Sequence, residues 1–585
     1  MGWRPGVGSA YWGGRAQERG ARVRAVEQMR ERRANAVAGY IGFDAESALE
    51  LAELEFGRRL LELGSGGEAA TTFEELERLQ VEVGRVLGFL AGCERRRVRW
   101  RRYRSAARER LYFPDLQRGV MVVGAPGSGK TFSTIDPLLR SVIEQGFPVI
   151  LYDFKYPSQA AILGPYAERL GYEVRVFAPG FPESETVNVL DFMRDCLDAE
   201  TAGQIAHVMN KNFQVGTDKD DPFFSTAATQ LLQAVFMVAK ASPEPDLVMA
   251  QVVISLSNLV ERLERWRERR EIDDVAALSA VKPEWGAYAI SEFNKSWILR
   301  AFAQIISVGK SEKTLSSIVG VATNNLTQFM KPNIAPHFVG RSTFDFWLEG
   351  RQLLIVGMDR VRRDSVGPLV ATALHMLTQY NLTLKKRRDP LVVALDELPT
   401  IYLPQIQNWL NENRSDGFCG IIGFQNMTQL EKAYGKELAR SIMTGCNTKF
   451  IFNPGETESA EFFARALGEE EVRSWSRSRS RGKGGSSTSI SEQDKPRKLF
   501  DPAQFLKLDT GMCVVVSPGY KKAVRGRQEA FVPMLKRIRI SKAEIEFCRM
   551  MEQRWAGFVA RRRRGERLEL DLQSRTRFAE TLLRY

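Results

Sequence analysis

The stretch best equipped for chemistry is Gly124-Ala125-Pro126-Gly127-Ser128-Gly129-Lys130-Thr131. Its spacing, G-x-x-x-x-G-K-[ST], is that of a phosphate-binding loop. Glycines permit the tight turn that aims backbone N–H groups at phosphate oxygens. Lys130 can reach the β- and γ-phosphates, and the Thr131 hydroxyl can ligate Mg2+. Hydrolysis also needs carboxylates, and Asp396-Glu397 close the apolar run Leu391 to Leu395. Asp396 suits the Mg2+ shell, and Glu397 suits activation of the attacking water. Gln425 ends a further apolar run, Gly420 to Phe424, where an amide can sense the γ-phosphate or orient the water. Arg414 lies between these two stretches; by spacing alone it is one arginine among many and reads as a surface ion pair. The expected ligands are ATP and Mg2+.

Elements must hold these groups together. The apolar run Val120 to Val123 predicts a strand before the loop, and the helix after it adds a positive N-terminal end to the anion site. Further apolar runs with β character are Pro148 to Tyr152, Val174 to Phe177, Gln352 to Val356, Leu391 to Leu395, Gly420 to Phe424, Lys449 to Phe452 and Met512 to Val516. Most are continuous rather than alternating, as in strands buried on both faces of a parallel sheet. The predicted class is therefore α/β. From Asp191 to about Asn333 the strand signal vanishes and amphipathic helical patterns take over, which predicts an inserted all-helical domain.

Composition narrows the partners. The chain of 585 residues has 44% hydrophobic and 26% charged residues, which suits a globular protein with a large core. Lys+Arg 84 against Asp+Glu 71 leaves a net charge of +13, which favours an anionic partner, nucleic acid or an acidic membrane surface, without choosing between them. The six cysteines include no C-x-x-C pair, and the three histidines are dispersed, which argues against a disulfide frame or a zinc site. No run approaches 18 consecutive apolar residues, so no transmembrane helix is predicted. The N-terminus has arginine but no apolar core, unlike a secretory signal, and Gly6 occupies the position where myristoylation requires Ser or Thr.

At the ends, Ala45 to Leu63 and Phe73 to Arg110 show helical periodicity. The second closes in an arginine-rich run from Arg95 to Arg110, readable as a solvated face or as a contact with acidic lipid, a partner or nucleic acid. Ser476 to Lys498 is rich in Ser, Gly and Arg, and is predicted to be a flexible basic loop. The predicted division is a helical N-terminal region 1–110, an ATPase part 111–190, an all-α insertion 191–335, a second ATPase part 336–535 containing the loop 476–498, and a basic helical extension 536–585.

GAPGSGKT, VVALDELP, ENRSDGFCGIIGFQNMTQLEKAYGKE and TGCNTKFIFNPGETESAEFFARALGEEEV together resemble the type IV secretion and conjugation coupling protein family. These are TraG/TraD-type ATPases related to the FtsK/HerA motors. QNMTQLEKAYGK is the most specific stretch, DPFFSTAATQLL resembles the start of the family's all-helical domain, and the likeness spans roughly residues 111 to 530. The resemblance implies a RecA-like nucleotide domain with an inserted all-helical domain, assembled as a hexamer. It implies ATP-driven delivery of single-stranded DNA, carrying a relaxase, to a type IV secretion channel. It assigns Lys130 and Thr131 the phosphate-loop roles, Asp396 and Glu397 the metal and water-activating roles, Gln425 the sensor role and Arg414 the role of an arginine acting on a neighbouring subunit. The sequence departs from the family where Asp153-Phe154-Lys155 continues into Tyr156-Pro157 instead of Gly-Glu. It also departs in lacking the family's usual N-terminal membrane helices, so the implied location is cytoplasmic, at the inner face of the bacterial membrane through an anchor protein or the Arg-rich helix near Arg95 to Arg110, with a soluble motor as the alternative. A double-stranded DNA pump of FtsK/HerA type, and a nucleotide-gated receptor scaffold for secreted proteins, are the competing readings.

Overall fold

Runs of Val, Ile and Leu form the centre of the molecule, because each is apolar at both odd and even positions. The computed structural model describes residues 11–42, 110–214, 222–482, 485–524, 528–540, 542–563 and 571–584. Among them a nine-stranded sheet is built from β1 Val120–Val123, β2 Val149–Asp153, β3 Glu173–Phe177, β4 Gln352–Gly357, β5 Leu391–Leu395, β6 Phe418–Phe424, β7 Thr448–Ile451, β8 Met512–Val516 and β9 Met534–Arg537. Its order is β9-β8-β7-β1-β6-β5-β2-β4-β3. From β7 to β3 every pairing is parallel, whereas β8 and β9 run antiparallel at one edge. Side chains alternate across the sheet: Met121 and Val123 enter one buried cluster, Val120 and Val122 the other. Such two-sided burial is what continuous apolar strands require. The strand β9 escaped prediction because Met534-Leu535-Lys536-Arg537 is short and buries only its first residue.

Between Ala199 and Thr327 the described chain is helical. Its longest helix is Pro222–Lys240, in which Leu231, Leu232, Val235, Phe236 and Val238 are buried. That helix is long and apolar enough to cross a membrane by length and composition, yet 61% of its apolar window is buried inside the molecule. Its burial is that of a core helix. Small polar residues (Ser225, Thr226, Thr229) interrupt its apolar run.

The peripheral segments are laced across these units. Helix Arg15–Glu31 sits on the sheet-bearing unit, where Gln28 and Arg24 both engage buried Asp115, and Gly39–Ile41 pairs antiparallel with Leu111–Phe113. The described N-terminal residues 15–41 thus pack on the unit that follows residue 110. The helical readings for Ala45 to Leu63 and for residues 73–109 lie outside the described residues. At the other end, helices Lys542–Gln553 and Trp555–Ala560 pack on Ala160–Arg169 through Phe547, Met551 and Phe558. Helix Leu572–Leu582 instead docks on the helical unit. The described residues of 476–498, predicted as a flexible basic loop, lie in an antiparallel pair of strands, Glu469–Gly482 and Gly485–Lys498. Its period-two alternation of Arg and Ser carried the strand signal, which the absence of aliphatic residues obscured.

Docking of the last helix centres on Arg575. Its guanidinium is buried against Asp246, which is fully buried and caps Leu247–Ile254, and it pairs with Glu244 at 2.8 Å. Arg262 and Arg269 donate to carbonyls of Leu583 and Arg584 at 2.9 and 3.0 Å. Removing one partner of a buried pair leaves the other charge uncompensated. Arg575→Ala is expected to cost about 3 kcal/mol in denaturant unfolding and to speed amide exchange at Val248 and Met249. Unchanged exchange at those amides would show that this helix does not anchor the helical unit.

Candidate active site

All the groups singled out for phosphate chemistry, except Arg414, converge beyond the carboxyl ends of three adjacent strands. One strand, β6, separates the loop-bearing β1 from the carboxylate-bearing β5. Gln425 follows β6 directly, so the sheet order sets its amide between the other two. In an open parallel sheet this carboxyl edge is where ligands bind.

The loop's glycines have specific work. Gly127 and Gly129 have φ of +79° and +93°, a region L side chains avoid. The loop is propped from outside: Ala125 N–H donates to the Asn453 carbonyl at 2.8 Å, Gly511 N–H to the Ser128 carbonyl at 3.0 Å, and the Thr510 hydroxyl to the Gly127 carbonyl at 3.2 Å. These buttresses were missed in sequence. Their only signal is polar or glycine residues next to the buried strands β7 and β8.

Lys130 is buried, with a carboxylate on two sides. Its ammonium pairs closely with Glu397 and lies 3.7 Å from Asp396. The Thr131 hydroxyl donates to Asp396 Oδ2 at 2.6 Å, and Gln425 Nε2 donates to Glu397 Oε2 at 3.2 Å. Glu397 holds φ +70°, left-handed and unfavourable for a non-glycine residue. The turn sustaining it is closed by Thr400, whose N–H and hydroxyl donate to the Glu397 carbonyl at 3.0 and 2.7 Å. Tyr152 at the end of β2 bonds that same Thr400 hydroxyl at 2.9 Å. Gly423 lets β6 run beside this corner, because a Cβ there would lie 2.7 Å from Asp396 Oδ1.

The donor set fits a hard divalent cation beside a phosphate cradle. Asp396 Oδ1 is buried without a hydrogen-bond partner, and the Thr131 oxygen is at hand. Oxygen donors of this kind suit Mg2+. Ser128 Oγ, inside the loop, is also buried without a partner.

Two further carboxylates lie behind the loop. Asp136, in the helix Asp136–Glu144, is pushed up to about 7, mainly by burial; the hydrogen bond from Gln159 at 2.7 Å opposes this. Asp153, at the end of β2, is raised to about 6 by burial, against N–H bonds from Ala160, Gln159 and Lys155. Here Asp153 holds the start of the helix Ala160–Arg169.

Arg414 is not in this cluster. It is exposed just before β6, at the amino-terminal edge of the sheet. The seven residues of β6 separate it from Gln425 by roughly 20 Å at ~3.3 Å per residue.

Residues 390–510, which carry Asp396, Glu397, Arg414 and Gln425, match the family model described as the TraM recognition site of TraD and TraG. Coupling protein TraD of Escherichia coli (strain K12) is 29% identical over 422 residues, covering 69% of this chain and 51% of that protein. The chain thus spans about half the length of this curated relative. Among solved structures, the conjugative coupling protein TrwBdeltaN70 in its unbound monoclinic form has a TM-score of 0.49 at 16% identity, covering 74% of this chain and 89% of that one. TrwB with the ATP analogue ADPNP has a TM-score of 0.49 at 14% identity, covering 73% and 86%.

A carboxyl raised in the folded protein keeps its proton longer there than in the unfolded chain. The resulting stability is present below the unfolded value of 3.8 and is lost as pH climbs through about 7. Asp136→Asn is therefore expected to raise Tm more at about pH 8 than at about pH 5. An equal shift at both would show that Asp136 ionises freely.

Proposed function

We propose that this chain is a coupling protein of the TraG/TraD type and works as an ATP-hydrolysing motor. It would move single-stranded DNA, with its attached relaxase, toward a type IV secretion channel. The observation that carries the reading is the meeting of Lys130 and Thr131 with Asp396, Glu397 and Gln425 at one edge of the sheet.

ATP would seat its phosphates in the turn Gly124 to Thr131, and Lys130 would exchange its carboxylate contact for phosphate oxygens. Mg2+, held by Thr131 and Asp396, would neutralise charge developing on the transferred phosphoryl group. Losing Lys130 frees the Glu397 carboxylate to accept a proton from the attacking water, while Gln425 holds that carboxylate and orients the water. Arg414 lies too far from its own loop to take part there, which supports an action on a neighbour's nucleotide. A ring of subunits, with six as the family's number, follows from that role. The net charge of +13 supports a phosphate backbone as the cargo. Association with the inner membrane surface, through a separate anchor protein, belongs to the same reading.

Lys130→Ala should abolish ATP hydrolysis. Arg414→Ala should lower it about 10³-fold or more while leaving ATP binding nearly intact. Mixing the two variants should restore part of the activity, because sound loops and sound arginines then meet at some interfaces. Absence of rescue would contradict the trans role. Turnover should rise more with single-stranded than with duplex DNA; the reverse result would favour a duplex pump.

A further inference from the structure

Of the stretch QNMTQLEKAYGK, the nucleotide chemistry described above uses only Gln425. The helix Met427–Tyr434 that follows it ends in Tyr434, a buried phenol whose hydroxyl sits between two backbone groups. That hydroxyl donates to the Ile401 carbonyl at 2.9 Å and accepts from the Leu403 N–H at 3.1 Å. Both groups belong to the short segment 398–403, which leads away from Glu397.

Segment 398–403 is a single turn, Leu398–Thr400, running into extended chain at Ile401, outside the strands of the large sheet. Leu398, Ile401 and Leu403 are buried. Backbone polar groups withdrawn from water need partners, and here side chains from other elements supply them. Arg363, which opens the helix Arg363–Thr383, donates to the Thr400 carbonyl at 3.3 Å. Asn212, near the end of the helix Ala199–Gln214 in the helical unit, takes both groups of Tyr402. Its Nδ2 donates to the Tyr402 carbonyl at 2.8 Å, and its Oδ1 accepts from the Tyr402 N–H at 2.7 Å. A carboxamide carries the same donor and acceptor as a peptide, so Asn212 pairs with Tyr402 as a neighbouring strand would. The amide also donates to the Val208 carbonyl at 2.8 Å, which fixes its plane. The Tyr402 ring stacks on Tyr434, with centroids 5.2 Å apart.

We propose that segment 398–403 is a lever that sets Glu397, with Asn212 and Tyr434 as its positioning residues. At one end Thr400 closes the left-handed Glu397 turn through its N–H and hydroxyl. Two residues on, Asn212 fixes Tyr402 to the helical unit, and Tyr434 fixes Ile401 and Leu403 to the helix that follows Gln425. A non-glycine residue at φ +70° persists only where its surroundings over-determine it, and these clamps are those surroundings. A displacement of about 1 Å at a reacting group costs on the order of 10²-fold in rate, so a lost clamp is felt in turnover before it is felt in binding. The helical unit thereby governs hydrolysis without touching the nucleotide.

This inference rests on the reading of Glu397 as the base, and the experiment separates the two. ATP turnover, and binding of a non-hydrolysable ATP analogue with Mg2+, are measured for the full chain and for Asn212→Ala, Tyr434→Phe, Gln204→Ala and Glu397→Gln. The first two changes are also each combined with Glu397→Gln. Asn212→Ala and Tyr434→Phe should each lower turnover about tenfold or more, while analogue affinity stays within about threefold of wild type. Gln204→Ala should keep near wild-type turnover, because Gln204 lies on the same helix but its amide meets the His375 ring, at 3.1 Å. It controls for a general loosening of the helical unit. In the Glu397→Gln background the two changes should cost no further turnover, because positioning acts only through the carboxylate. Wild-type turnover in both single variants, or the same loss repeated without the carboxylate, would overturn the lever while leaving the base reading intact. Should Asn212→Ala fail to fold, Tyr434→Phe, which keeps the ring stack, decides alone. Turnover that survives Glu397→Gln would remove the base reading first, and the lever with it.

Discussion

Everything at this site depends on one buried cation. Lys130 sits at the bottom of a glycine-rich turn with about 7% of its surface exposed, and a charge so placed must have a partner. Glu397 and Asp396 supply it, and in the proposed function a triphosphate competes with them. The sheet order keeps both options within reach, since β6 inserts Gln425 between the loop and the carboxylates. The strained left-handed turn at Glu397 has the same purpose, bringing its carboxylate back toward the loop. Gly423 is required for the same reason, leaving room beside Asp396 that no larger residue would allow.

Around this centre the described chain is arranged as a set of straps. The N-terminal helix is pinned by Asp115, the helices after Lys542 clasp Ala160–Arg169, and the last helix reaches across to the helical unit. Arg140 shows how closely the straps approach the site: it pairs with Glu544 and is buried near Asp136, one turn beyond the phosphate loop.

Much of this was legible in the residues themselves. Continuous apolar runs marked every strand of the nine-stranded sheet except β9, because a strand covered on both faces has no polar face to show. The fingerprint of the loop and the carboxylates after Leu395 could be read because their chemistry needs those residue types at that spacing. What escaped did so for physical reasons. The strand β9 and the short strand Gly39–Ile41 carry too few apolar residues to outweigh their surroundings. The hairpin Glu469–Lys498 has its periodicity in charge and hydroxyl rather than in hydrophobicity. The buttresses Asn453, Thr510 and Gly511 act largely through backbone carbonyls and N–H groups, and side-chain identity scarcely records such contacts. Arg414 could not be distinguished from other arginines by spacing, since its proposed place of action is across an interface.

The central claim is that Lys130 is shared between Glu397 and the nucleotide. It is tested most directly by titrating Glu397→Gln with a non-hydrolysable ATP analogue in the presence of Mg2+, and measuring turnover of ATP by the same protein. With its carboxylate competitor removed, Lys130 should bind the analogue about tenfold more tightly, while hydrolysis falls about 10²-fold or more for want of the base. Analogue affinity that falls together with turnover, or turnover that survives the substitution, would contradict the account.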